Sequence, residues 1–293
     1  MGAEGVTHTI AIEGAEPELR LPVIVRAIDG GEGRDAISPY GYPGGGYPGG
    51  SGAAPDPPDA ARVDWSETGL VSVFVRDRVG DPPTFAGGSE RSRVHIVAPG
   101  DTGSMRKRLR EQVRRNERRG WQLRTIPGAE TTPADRAAFG LAYGETMRRT
   151  GAAERYLYRQ GYFDAALAAS GAWLLLAEKE GGPPGAGAIA ARSDGMLHYY
   201  LGGTADAALA DSPMKNLFAA MISLATGLEL PVNLGGGITP GDSLDEFKRG
   251  FAGSSAPFRT HEVVCDPDAY RSLTGARAPA STGFFPAYRV PAT

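Results

Sequence analysis

One lysine in this chain sits where it can do chemistry. Residues 231–251 read PVNLGGGITPGDSLDEFKRGF: a short apolar run, three consecutive glycines, a Thr-Pro-Gly turn and an amphipathic segment. Leu244, Phe247 and Phe251 fall at i, i+3 and i+7, the spacing of one helical face. Lys248 lies one residue past Phe247, so its ammonium can leave that apolar face and reach an opening. A cation fixed there would steady negative charge that develops on a reacting oxygen. Gly250 is placed to end the helix through its access to positive φ. The same spacing also describes an ordinary surface helix with Lys248 and Arg249 on its wet side.

Other groups with chemical potential lie upstream. Tyr199 and Tyr200 are adjacent in MLHYYL, a strand by pattern, so they face opposite sides; the sequence leaves open which one meets the lysine. Residues 103–119, GSMRKRLREQVRRNERR, form a helix with a narrow stripe of Met105, Leu109 and Val113. Around that stripe Arg106, Lys107, Arg108, Arg110, Arg114, Arg115, Arg118 and Arg119 face only Glu111 and Glu117, an excess of six positive charges in a chain whose net charge is −3. Like charges at i, i+4 cost helix stability. Arg106, Lys107, Arg110, Arg114 and Arg118 are therefore candidates for contact with RNA phosphate, or with a phosphorylated acceptor, although a solvated helix face explains them too.

Composition narrows the classes. The 293 residues suffice for one large domain or two moderate ones. No apolar run approaches the length of a membrane span, and residues 1–14 lack the basic-then-apolar pattern of a secretion signal. Cys265 is the only cysteine, which excludes an internal disulfide and a thiolate metal cluster and makes the cytoplasm the default compartment. His8, His95, His198 and His261 show no paired ligand spacing, so no metal is expected.

The elements that must position these groups can be read in order. Strands are expected over 7–13, 21–28, 71–78, 93–98 and 121–126, and residues 38–59, about half glycine and proline, form a long loop carrying Tyr40, Tyr42 and Tyr47. Thr132-Pro133 starts a helix that runs to Arg149; a second helix spans 160–169. Strands over 173–178, 186–191 and 196–201, a helix over 213–226, a strand over 232–234, the lysine helix, a strand over 258–264 and a short helix over 267–273 complete the chain.

Three blocks in this order resemble the FemXAB peptidyltransferases, which are built on the GNAT acyltransferase fold. They are Asp35 to Gly45 (DAISPYGYPGG), His198 to Thr204 (HYYLGGT) followed by Ser212 to Leu217 (SPMKNL), and the Pro231 to Phe251 stretch with its apolar strand, glycine run, Asp-Ser-Leu and Phe-Lys-Arg-Gly-Phe end. The resemblance implies an α+β, tandem GNAT-like protein: two mixed-sheet subdomains, residues 1–128 and 129–293, with a cleft between them and the last residues packing back on the first. It implies an enzyme that takes an amino acid from aminoacyl-tRNA and forms an amide bond with an amine, with the charged tRNA as co-substrate and no further cofactor. Lys248, Tyr199 and Tyr200 would then be catalytic; Phe247, Arg249, Lys215 and Asn216 would hold the donor; Tyr40, Tyr42 and Asp35 would hold the acceptor.

Two features refine that expectation. In acyl-CoA users the loop after the central strand is a glycine-rich pyrophosphate cradle. Here residues 204–211, TADAALAD, have no glycine and carry Asp206 and Asp211, which disfavours coenzyme A. The chain also lacks a long helical arm, which favours a small amine or peptide acceptor, as in natural-product assembly, over a cell-wall precursor, and a monomer is expected. An acyl-CoA-dependent N-acyltransferase and a non-catalytic RNA- or peptide-binding module remain the alternatives.

Overall fold

The computed structural model describes residues 5–13, 18–29, 33–47, 56–101, 103–275 and 284–290. Strands β1 (Gly5–Ile12), β2 (Leu19–Ala27), β3 (Arg34–Ile37), β4 (Ser72–Arg76) and β5 (Ser89–Val97) lead into helix α1 (Lys107–Arg118) and strand β6 (Trp121–Pro127). Helices α2 (Pro133–Arg149) and α3 (Gln160–Ala168) precede strands β7 (Ala172–Lys179), β8 (Ala186–Ser193) and β9 (Met196–Thr204). Helix α4 (Met214–Gly227), strand β10 (Val232–Asn233), helix α5 (Ser243–Arg249), strand β11 (Ser254–Val264) and helix α6 (Pro267–Thr274) follow. The class is α+β.

Two compact units emerge: residues 93–256, and residues 3–92 with 257–293. The division expected after residue 128 thus falls elsewhere, because α1 and β6 join the later helices and strands. Asn116 of α1 and Asn216 of α4 are both fully buried, with Asn116 Nδ2 donating to Asn216 Oδ1 at 2.7 Å and Asn216 Nδ2 donating to the Val113 carbonyl at 3.1 Å. Strand β6 pairs with β7 along its whole length, from Trp121 opposite Lys179 to Pro127 opposite Trp173.

Within residues 93–256 the strand order is β5-β10-β9-β8-β7-β6, with β10 and β9 parallel. Helices cover both faces of this sheet, so β7 reads as a continuous apolar run in place of an alternating one. Leu175 joins a core with Leu197, Leu217, Phe218 and Phe251, while Leu174 and Leu176 join Phe139, Phe163 and Ile189 on the other side. Met105 and Leu109 of the stripe expected on α1 pack on the first of these cores, and Val113 is buried. Helix α2 opens on a capping box: Thr132 accepts from the Asp135 amide and the Asp135 carboxylate accepts from the Thr132 amide.

Within the other unit the order is β1-β2-β3-β4-β11. Its core gathers Leu19, Leu21, Val23, Trp65, Val73, Val75 and Phe85. Strand β3 has no counterpart in the sequence reading, which expected no strand between residues 28 and 71; two of its four residues are charged. Part of the glycine- and proline-rich segment is ordered against this core. Arg20 and Gly46 exchange backbone hydrogen bonds at 2.8 and 2.9 Å, and Tyr47 packs beside the cluster. Residues 48–55 of that segment lie outside the described residues.

Gly203 shows how closely α2 sits on the sheet, since a Cβ there would lie 2.5 Å from the Ala142 carbonyl oxygen and from the Tyr143 Cα. Backbone atoms cannot swing aside. Gly203→Ala should therefore cost about 1–3 kcal/mol, read as a lower urea midpoint with an unchanged m-value.

Candidate active site

The site is built where two parallel strands part. Val232 and Asn233 of β10 pair with Leu197 and His198 of β9, and there the pairing stops. Beyond it the chain stays with β5: Leu234 N–H donates to the His95 carbonyl at 2.9 Å and His95 N–H to the Gly235 carbonyl at 3.1 Å. Strand β9 runs on through Thr204, paired with β8 alone among the described residues. That leaves a gap alongside Tyr199 to Gly203, open on the side away from β8.

A bulge in β9 settles which tyrosine faces the gap. Tyr199 lies opposite Ala190 and Leu201 opposite Ile189, so Tyr200 is an extra residue. Tyr199 packs on the α4 side, its ring 4.9 Å from that of Phe218, while Tyr200 and Leu201 both turn to the α2 and α3 side. There the Tyr200 hydroxyl meets that of Tyr162. Gly202 returns to the first side directly under Tyr199; a Cβ there would stand 2.3 Å from the Tyr199 hydroxyl oxygen.

Lys248 enters the gap from α5. Its residue is only 6 % exposed, its Nζ donates to the Gly236 carbonyl at 2.7 Å, and the same nitrogen lies 5.3 Å from the centre of the Tyr199 ring. No carboxylate forms an ion pair with it among the described residues. Burial pushes its pKa down to about 8, against the opposing pull of Asp242 and Asp245. The sequence expectation of a lysine leaving the apolar face is corrected here: Leu244 is the residue left 38 % exposed, while Lys248 lies inside. Phe247 packs on Phe218 and Phe251 at ring distances of 5.1 and 5.3 Å.

The glycine run and α5 are fixed by hydrogen bonds to their own backbone. Asp242 caps α5 through the Asp245 amide and also accepts from the Ile238 and Thr239 amides, which tightens the turn. Gly237 lies so near that a Cβ would stand 2.3 Å from the Asp242 carboxylate. Gly250 does not end the helix through positive φ, as expected; its φ is −66°. A Cβ there would lie 2.7 Å from Leu109 Cδ1 of α1 and 3.2 Å from the Phe247 carbonyl oxygen, so a larger residue would have to displace the leucine tip.

Sequence reasoning missed a polar layer beneath the lysine. His95 of β5 is buried and its Nε2 lies 2.8 Å from Asp245 Oδ1. That contact, ahead of the opposing effect of burial, holds Asp245 below the usual carboxylate range. His198 of β9 receives the Asn233 side chain at Nδ1 (3.2 Å), and Asn233 Oδ1 accepts from the Gly235 amide at 2.8 Å. Burial pushes the His198 pKa down, so this imidazole is neutral at pH 7. The available signal was the spacing of Asp245, which precedes Lys248 by three residues, about one helical turn; His95, 150 positions away, carried none.

The other sequence candidates are scattered. Arg249 pairs with Glu246 on the same helix. Lys215, at the start of α4, is half-buried; burial lowers its pKa, as does repulsion from Arg108 and Arg115 of α1. Asn216 spends its amide on α1, as described above. On α1, Arg106 reaches Glu246 at 3.7 Å, Lys107 reaches Glu111 at 3.9 Å and Arg110 donates to the Met105 carbonyl at 2.5 Å. Arg114 and Arg118 are exposed. In the other unit Asp35 is fully buried, held by Arg26 at 2.9 Å, by Arg289 and by the Tyr288 hydroxyl at 3.3 Å, so its carboxylate is consumed by the fold. Tyr42 stands edge-on to Phe258 at 5.1 Å, and Tyr40 is largely exposed.

The loop after β9 is tied down by hydrogen bonds and ion pairs, several of them with α2 and β7. The amides of Ala205, Asp206, Ala208, Asp211 and Ser212 all donate to protein oxygens. Asp206 takes Arg148 and Arg149, and Asp211 takes Lys179 (3.0 Å), Arg119 and the Trp121 indole (2.9 Å); the indole and lysine contacts hold the Asp211 pKa down to about 2.

Residues 103–249, half of the chain, match the family described as acetyltransferase (GNAT) domain. No match is found among curated proteins. Among solved structures, FemX superimposes with a TM-score of 0.60 at 12% identity, covering 87% of this chain and 88% of that one. L-PGS from Bacillus licheniformis gives 0.59 at 12% identity, with 88% and 84% covered. The C-terminal domain of a protein assigned as a lysylphosphatidylglycerol synthetase from Agrobacterium fabrum gives 0.58 at 14% identity, with 92% and 87% covered. At these identities the likeness is one of fold, and that fold is tandem GNAT-like.

Burying the Lys248 ammonium has a measurable cost. Its folded pKa near 8 lies below the unfolded value of 10.5, so the unfolded chain binds more protons between those limits and stability from this group rises with pH across that window. Lys248→Met should stabilise the protein by roughly 2–3 kcal/mol at pH 7, and the gap should close as pH passes 10, measured by urea unfolding at each pH.

Proposed function

Because the chain belongs to the acetyltransferase (GNAT) domain family, we propose that it is an acyltransferase of the aminoacyl kind: it moves an amino acid from a charged tRNA onto an amine. The observation that carries this reading is the Lys248 ammonium, buried and held by a backbone carbonyl at the point where β9 and β10 separate. The acceptor amine attacks the ester carbonyl carbon, and a C–N bond forms as negative charge gathers on the carbonyl oxygen. Lys248 steadies that oxygen or gives a proton to the departing ribose oxygen as the C–O bond breaks; the proton lost by the amine returns the lysine to its ammonium form. A pKa near 8 suits both holding and releasing that proton at neutral pH. Tyr199 lines the same gap, and Phe247 backs α5 from the core.

The donor assignment draws on the sequence resemblance and on chemistry. In the loop after β9 the amides of Ala205, Asp206, Ala208, Leu209, Asp211 and Ser212 donate to protein oxygens and both carboxylates are paired, which disfavours it as a cradle for the pyrophosphate of an acyl-CoA. The exposed arginines of α1 suit a nucleic-acid phosphate. Fem-type proteins, which the sequence resembles, use charged tRNA, and a lysylphosphatidylglycerol synthetase by its name makes a product bearing a lysyl group. Lys215 and Arg249 are assigned to the donor, and Tyr40 and Tyr42 to a small amine or peptide acceptor.

The direct test incubates the protein with a pool of charged tRNAs and candidate amines. Amide product should form and should vanish after ribonuclease treatment; Lys248→Ala should lower kcat by about 10²–10³ while the fold is kept. Product formation from acetyl-CoA without tRNA, or a thermal shift with acetyl-CoA alone, would replace this reading with an ordinary N-acyltransferase. On α1, Arg114→Gln with Arg118→Gln should weaken tRNA binding and flatten the slope of log K against log salt by about 1–2.

A further inference from the structure

The layer below Lys248 has no part in the reading above, yet its geometry ties three elements together. His95 joins β5 to the glycine run through two backbone hydrogen bonds and joins β5 to α5 through its side chain, Nε2 to Asp245 Oδ1 at 2.8 Å. The glycine run supplies the carbonyl that receives Lys248, and α5 supplies Lys248 itself. Both ends of the Lys248–Gly236 contact are thus referred to one buried histidine. Asp245 lies one helical turn from the lysine, so its carboxylate is both a structural clamp and a nearby negative charge.

We propose that Asp245, clamped by His95, is a positioning residue that keeps the Lys248 side chain on the Gly236 carbonyl and keeps its nitrogen protonated through the working pH range. The charged and titratable groups around this nitrogen are few. Helix α5 and its preceding turn bring Asp242, Asp245, Glu246 and Arg249; β5 brings His95; β9 brings His198 and Tyr199; α1 brings Arg106, which is turned to Glu246. Among the described residues only the carboxylates of Asp242 and Asp245 favour the charged lysine, and Asp242 already serves the amides of Ile238, Thr239 and Asp245. Asp245 is placed by the His95 imidazole at Oδ1, and its carboxylate also takes a backbone hydrogen bond from Gly241 and feels the charge of Arg249.

This inference rests on the catalytic reading for its consequence but not for its test. With carbon-13-labelled lysine, the Lys248 Cε resonance, assigned by its loss in Lys248→Arg, reports the protonation midpoint in the absence of any substrate. Asp245→Asn should lower that midpoint by about one pH unit. His95→Leu should lower it too, while His95→Gln, which keeps an N–H donor at similar reach, should restore it. Should Asp245→Asn fail to fold, Asp245→Ser removes the same charge with a smaller side chain. In turnover, Asp245→Asn should lose about fivefold in kcat at pH 8 and little at pH 6, with KM unchanged; a merely structural residue would lower kcat equally at both. An unmoved lysine midpoint in the aspartate variants overturns the proposal. A moved midpoint in a protein that transfers no amino acid from tRNA would leave the proposal standing and overturn the catalytic reading.

Discussion

An ammonium group removed from water against one carbonyl oxygen is the constraint on which this structure turns. Burial costs a charged amine several kcal/mol unless other groups answer it. Here the answer is dispersed: a carbonyl at the glycine run, the face of one tyrosine ring, and two carboxylates on the turn and first residues of α5. Each of these in turn demands support. The carbonyl is placed by a glycine run tied at Gly235 to His95 and Asn233, the ring by a strand bulge, and the carboxylates by an Asp cap and a buried imidazole. The local architecture of β5, β9, β10 and α5 follows from keeping that one nitrogen where it is.

The loop after β9 shows a complementary choice. Its two aspartates would repel a diphosphate in isolation, and each is instead surrounded by cations from α1, α2 and β7. These pairs are partly exposed and contribute little to stability individually. Their joint effect is geometric. The chain between β9 and α4 is pinned at both ends, and Trp121 and Asn116 add neutral hydrogen bonds to the same anchor at Asp211.

Much of this was legible in the sequence, and the reasons are physical. The β7 run WLLLAE, the Thr132-Pro133 start of α2 and the Met105, Leu109, Val113 stripe of α1 are local signals, and each formed the expected element. Strand β3 was hidden because its stability comes from Arg26 and from Arg289, more than 250 residues away. The lysine was found by its neighbours, but its burial was not, because the rule of charged residues outward fails where a carbonyl and an aromatic ring receive the charge. Leu244 was assigned to the buried face by the same periodicity, and a seven-residue helix is too short for that periodicity to fix its orientation. His95 was invisible as a partner of Asp245 because no spacing links residues 150 positions apart.

The extra residue at Tyr200 changes what β9 can do for its neighbours. Without it, a strand deals its side chains left and right in strict turn. With it, Leu197, Tyr199 and Gly202 address α4 and α5, whereas Tyr200, Leu201 and Gly203 address α2 and α3. The strand thereby deals two separate sets of positions, so residues beside the lysine can vary to suit a new ligand while the face under α2 and α3 keeps its packing.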